Sequence, residues 1–160
     1  LGLPVSIVKD QHGFILSYEI METTSDSEVT LPLMQKVKAM FPAIKSASYD
    51  KGYWSPSNRE GLSGIVETVV LPKKGRLNKN QIEEEHSEEF VKYRKKHSAV
   101  ESSINALGHC GLDTCYDHGI SGFKRCVSLS VLARNINVLG KYIREKEVKK
   151  STRKKYTKSA

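Results

Sequence analysis

Two acidic residues, Asp50 and Glu101, are placed where phosphodiester chemistry would need them. Asp50 follows a short apolar stretch, in Tyr49-Asp50-Lys51-Gly52-Tyr53. Glu101 lies within an amphipathic segment that includes His97-Ser98-Ala99-Val100-Glu101-Ser102-Ser103-Ile104-Asn105. A carboxylate at a strand end and another on a helix face form a pair suited to divalent metal ions. One ion activates an attacking water or hydroxyl, and the other stabilises the leaving oxygen. Mg²⁺ or Mn²⁺ suits such hard oxygen ligands, and Mg²⁺ keeps several of its waters. Taken singly, an acid after a strand or on a helix face is more often a cap or a solvated side chain.

Arg94, His97, Glu101 and Asn105 recur at steps of three and four, so they share one polar helix stripe. Beside it run Phe90, Tyr93, Val100, Ile104 and Leu107, an apolar stripe that would dock the helix. There are two basic groups: Lys73, Lys74, Arg76 and Lys79 before this helix, and Lys92, Arg94, Lys95 and Lys96 on it. With His97 they are the candidate contacts to DNA phosphates. Solubility alone would account for them equally well.

The elements that must position these groups are legible. Val5 to Val8 and Phe14 to Ile20 read as a hairpin turning at Gly13. Val29, Leu33, Val37 and Met40 mark a helix that Pro42 ends. A short strand leads into Asp50. Ser55 and Pro56 start a short helix, and Glu67 to Leu71 is a β-branched strand. Asn78 and Gln81 fit a capping box, with Leu77 and Ile82 as its hydrophobic staple. A kink near His86-Ser87 precedes a helix from Glu88 to Leu107, stopped by Gly108 and Gly111. A last helix is expected from Phe123 to Ile143, with Leu132, Ile136, Leu139 and Ile143 on its buried stripe. The order implies a mixed α/β layer arrangement. It matches an RNase H-like mixed sheet flanked by helices, with the first strand missing.

The 160 residues fit one domain, here residues 1–143, followed by a basic segment, 144–160, expected to be disordered. Residues 141–160 hold nine Lys/Arg against Glu145 and Glu147, within a net charge of +8. Such a polycation gains affinity for nucleic acid by releasing counterions. No stretch approaches a membrane span. The chain has neither a signal peptide nor an initiator methionine, and it reads as a fragment. Three cysteines without a secretory signal suit a reducing cytoplasm. His109, Cys110, Cys115 and His118 are zinc-compatible types, but their span is cramped for four ligands.

Several stretches together carry a family resemblance. They are Phe41-Pro42, Ser48 to Tyr53, Leu71 to Arg76, His97 to Leu107, Gly111-Leu112-Asp113, His118 to Arg125 and Ala133-Arg134-Asn135. In this order and spacing the chain resembles the C-terminal two-thirds of a DDE transposase from a bacterial insertion sequence. The resemblance covers Leu1 to about Ile143. It implies metal-dependent cleavage and strand transfer at transposon ends, with double-stranded DNA as partner, a homodimer, and a bacterial, nucleoid-associated location. Asp50 would be the second catalytic aspartate and Glu101 the catalytic glutamate, both metal ligands. The family's arginine four positions before that glutamate is His97 here, and its lysine seven positions after is Gly108. Arg94 is the candidate substitute. The first catalytic aspartate belongs on a strand upstream of the hairpin; Asp10 and Asp26 do not fit that role. The chain is therefore expected to begin after it and to be inactive alone. A non-catalytic DNA-binding remnant and an RNase H-like metal-dependent nuclease are the alternatives.

Overall fold

The computed structural model describes residues 3–97 and 105–156. The chain begins with two antiparallel strands, β1 (Val5–Lys9) and β2 (Ile15–Ile20). Their turn is closed by Asp10, whose Oδ1 accepts the backbone N–H groups of His12 (2.9 Å) and Phe14 (2.8 Å). Gly13 takes a φ of 92°, a left-handed conformation that costs glycine little. The register slips between Val8 and Lys9, so Leu16 is passed over. Such a bulge reverses which face the following side chains meet. Ile15 therefore joins Tyr18 and Ile20 on one face, while Leu16 packs with Val8 in a different cluster.

Helix α1 (Asp26–Met40) follows, and Glu28 closes its start by accepting the backbone N–H of Ser25 at 2.7 Å. Its buried face is Val29, Leu33, Met34 and Val37; Met40 falls outside it and is exposed. Strand β3 (Ser46–Ser48) leads to a 3₁₀ turn at Lys51–Tyr53 and then to α2 (Pro56–Ser63). Ser55 caps α2 by accepting the Asn58 N–H at 3.1 Å, with Pro56 in the first turn, where its missing N–H costs nothing. Strand β4 (Thr68–Val70) then runs parallel to β3.

The capping box at Asn78 and Gln81 opens α3 (Lys79–His86). Ser87 is extended and separates it from α4 (Glu88–His97). Gly108–Leu112 form a wide, π-type turn in which Gly111 reaches a φ of 102°. The last helix, α5 (Gly119–Tyr156), is longer than the sequence implied and takes in much of the basic segment.

The result is a mixed α/β protein. Its described strands form two separate two-stranded sheets, β1–β2 and β3–β4, with no ladder joining them. One core gathers Met34, Val37, Leu62, Val66 and Leu71 from α1, α2 and the strand region. Another joins Ile15 of the hairpin to Leu107, Val127 and Val131. The hairpin thus lies between α1 and α5.

One expectation is corrected here. The α5 stripe Leu132, Ile136, Leu139 and Ile143 is exposed, and the inward face is Val127, Ser130, Val131 and Val138. The smaller residues bring the helix close to the hairpin. There the Asn135 side chain accepts the Ile15 N–H and donates to the Ile15 carbonyl, both at 2.9 Å.

Candidate metal centre and flanking basic groups

Asp50 stands exposed directly beyond β3, at the cap of the Lys51–Tyr53 turn. The strand fixes its backbone: the Tyr49 N–H donates to the Val70 carbonyl at 2.9 Å, and the Tyr53 N–H returns to the Asp50 carbonyl at 3.2 Å. The turn is held from two further sides. The Tyr53 hydroxyl and Ser6 Oγ of β1 are 3.1 Å apart. Buried Asn58 donates from Nδ2 to the carbonyls of Tyr53 (2.8 Å) and Ser27 (2.7 Å). The backbone that carries the carboxylate is thus fixed by bonds that leave its oxygens unused.

The second carboxylate at this turn is Asp26, although it does not stand at a strand end. It is the first residue of α1, and its Oδ2 would lie 3.2 Å from a β-carbon at Gly52. The glycine is what lets the carboxylate come so close to the backbone. Burial raises the Tyr53 phenol above its ordinary pKa; the charges of Asp26 and Asp50 push it the same way, against the Ser6 hydrogen bond. Both acids are therefore within electrostatic reach of one phenol. No described cation is paired with either. Their oxygens are hard donors of the kind Mg²⁺ and Mn²⁺ take.

Glu101 lies outside the described residues, as do the side chains of Lys96 and His97. Among the described residues no three His, Cys, Asp or Glu side chains converge on one point. The zinc-compatible run is no exception. Cys115 donates to the Asp117 carbonyl and Cys126 to the Gly111 carbonyl, each at 3.6 Å. Burial, with Cys115 beside it, raises the Cys126 thiol above its ordinary pKa.

The basic candidates divide. Lys73 is half-buried: its Nζ donates to Gln81 Oε1 at 2.9 Å and lies 5.8 Å from the Trp54 ring centre. Its backbone N–H also donates to Glu85 Oε1 at 2.8 Å, so Lys73 fastens its loop to α3. Lys74, Arg76, Lys92, Arg94 and Lys95 are exposed. Trp54 lines a shallow cleft with Arg59, Leu71, Lys73 and Phe90. Arg59 is anchored there by Glu84 and by the Val69 carbonyl. No described helix is long and apolar enough to cross a membrane.

Comparison with protein-family models, curated proteins and solved structures finds no match to this chain.

Proposed function

We propose that this chain is part of the catalytic region of an insertion-sequence DDE transposase, acting on DNA ends through divalent metal ions. The observation that carries the reading is Asp50: an exposed, unpaired carboxylate at a strand end, on a turn braced by Tyr53 and Asn58. The antiparallel hairpin followed by the parallel β3–β4 pair supports an RNase H-like arrangement, in which a further strand would join the two small sheets. Mg²⁺ or Mn²⁺, when bound, would activate the attacking oxygen and stabilise the leaving one. Asp50 and Glu101 would hold the ions, with Asp26 the nearby acid to test beside them. Lys74, Arg76, Lys92, Arg94 and Lys95 would meet the phosphate backbone, where cations orient the duplex without reading its sequence.

Mn²⁺ titration followed by electron paramagnetic resonance tests the centre. Asp50→Asn and Glu101→Gln should each weaken binding, while Asp10→Asn, in the hairpin turn, should not. Equal binding by all variants would refute the assignment. DNA affinity should fall steeply with salt, as counterion release requires. A flat response would remove the DNA partner altogether. The second reading, DNA binding without cleavage, draws on the cation-rich end of α5. It would show the salt slope with no dependence on Asp50.

A further inference from the structure

Two thiols meet where the loop ahead of α5 folds back on the first turns of that helix. The Asp117 carboxylate fastens the loop by accepting from Arg125 Nε at 2.9 Å and from Arg125 Nη2 at 2.7 Å. Asp117 also packs on Gly122, one turn before Cys126, where an added β-carbon would come within 2.8 Å of the Asp117 β-carbon. Cys115 donates to the Asp117 carbonyl, and Cys126, next to Arg125, donates to the Gly111 carbonyl, each at 3.6 Å. The two thiols thereby come within hydrogen-bonding reach of each other.

Both cysteines are partly exposed, and Tyr116 beside Cys115 is 89 % exposed, so a small oxidant reaches the pair from solvent. Among the described residues no third His, Cys, Asp or Glu joins them, as a metal site would need. Cys110 is held elsewhere. Its Sγ lies 3.7 Å from Asn137 Nδ2, about three turns farther along α5 than Cys126. Cys115 stands outside any helix or strand, so the chain can adjust there to the tighter spacing that a disulfide needs.

We infer that Cys115 and Cys126 are a reversible thiol–disulfide pair, a clasp that a low-molecular-weight disulfide closes between the loop and α5. The Cys115 thiolate attacks one sulfur of the oxidant. The S–S bond of the oxidant breaks, a first small thiolate leaves, and a mixed disulfide forms on Cys115. Cys126 then attacks the Cys115 sulfur and expels the second small thiolate. The two protons lost by the protein end on the two small thiols; the chain gives up two electrons and the oxidant takes them. Burial and the neighbouring Cys115 hold the Cys126 thiol above its ordinary pKa, which leaves the first attack to Cys115. In a reducing compartment such a pair rests as free thiols and closes only under oxidant. The inference uses no metal and no DNA, so it stands or falls apart from the transposase reading.

Equilibration of the full chain with reduced and oxidised glutathione, acid quenching and mass spectrometry test it. Oxidation should remove about 2 Da and two of the three thiols, and dithiothreitol should restore both. In a Cys110→Ser chain, trypsin should release the peptide Cys126–Arg134 joined to the peptide that ends at Lys124. Cys115→Ser and Cys126→Ser should each lose the internal bond, with circular dichroism of the reduced variants as the control for folding. The unsubstituted chain gives a second readout. Folded, it should close at a glutathione ratio at least ~10-fold more reducing than in urea, because the fold supplies the proximity. Three thiols retained at the most oxidising ratio, a bond that uses Cys110, a bond between chains, or equal closure folded and in urea each overturns the inference.

Discussion

The side-chain amide of Asn135 pairs with the backbone of Ile15 as a neighbouring strand would, accepting its N–H and donating to its carbonyl at 2.9 Å each. Ile15 is 5 % exposed, so water offers these backbone groups little alternative. One residue of α5 thereby fixes the helix against the end of β2 and sets its rotation. That rotation turns Val131 inward and Leu132 outward.

Asn135→Ala removes both bonds and leaves a buried donor and acceptor unmet. The expected loss is about 2–3 kcal/mol of stability, seen as a lower urea midpoint with an unchanged slope. Asn135→Asp keeps the acceptor and loses the donor, and should fall between the two.

The same substitution at two leucines reads out burial. Leu62 is fully buried between α1, α2 and the strands. Leu62→Ala should cost about 2–5 kcal/mol, the lost transfer energy plus a cavity. Leu132→Ala, at an exposed position, should change stability by less than about 0.5 kcal/mol. Thermal or urea unfolding of both at low micromolar concentration checks this.

Asn58 joins the start of α1 to the turn after Asp50 through the carbonyls of Ser27 and Tyr53. Asn58→Ala should cost about 2 kcal/mol, because both carbonyls lose a donor. It should also loosen the support beneath Asp50 and weaken Mn²⁺ binding severalfold. Unfolding and ion titration on the same preparation separate the two effects.

Alkaline pH should unfold the protein through its paired tyrosines. Tyr49 and Tyr53 lie 5.7 Å apart, ring centre to ring centre. Burial raises both phenols above their ordinary pKa; Tyr53 adds to the shift at Tyr49, and Asp26 and Asp50 add to it at Tyr53 against the Ser6 hydrogen bond. The folded state therefore holds these protons more tightly than the unfolded chain does. Stability should be level up to about pH 10, the unfolded tyrosine value, and decline above it. Tyr49→Phe should blunt that decline, as urea midpoints between pH 8 and 11 will show.

Local signals proved readable where one residue type solves one backbone problem. Ser55 with Pro56, Asn78 with Gln81, and Gly13 each announce a cap or a turn, and each is found in that role. The kink expected near His86-Ser87 is found as well, with Ser87 extended between two helices. The direction of α5 was not legible. That helix carries two apolar stripes, and periodicity weights the larger side chains of the outer one. What decides the matter is the partner surface: small Val127, Ser130 and Val131 allow close approach to the hairpin, which no window along the chain contains. The approach of Asp26 to the turn after Asp50 is of the same kind. Its relation to Asp50 depends on the space at Gly52 and on Asn58 drawing two distant segments together. Sequence alone brought out Asp50, but the partner it named, Glu101, falls outside the described residues.

The length of α5 has an electrostatic consequence. Tyr142, whose hydroxyl meets His12 Nδ1 at 2.6 Å and whose ring stacks on Phe14, holds the helix to the hairpin tip. The helix then continues to Tyr156. Fourteen further residues extend about 20 Å, well past the ~8 Å over which physiological salt screens a surface charge. Lys146, Lys149 and Lys150 ride on this outrigger. A polyanion drifting toward the molecule would feel that boom first, and its capture radius would be set by the spar rather than by the nearly neutral hull behind it.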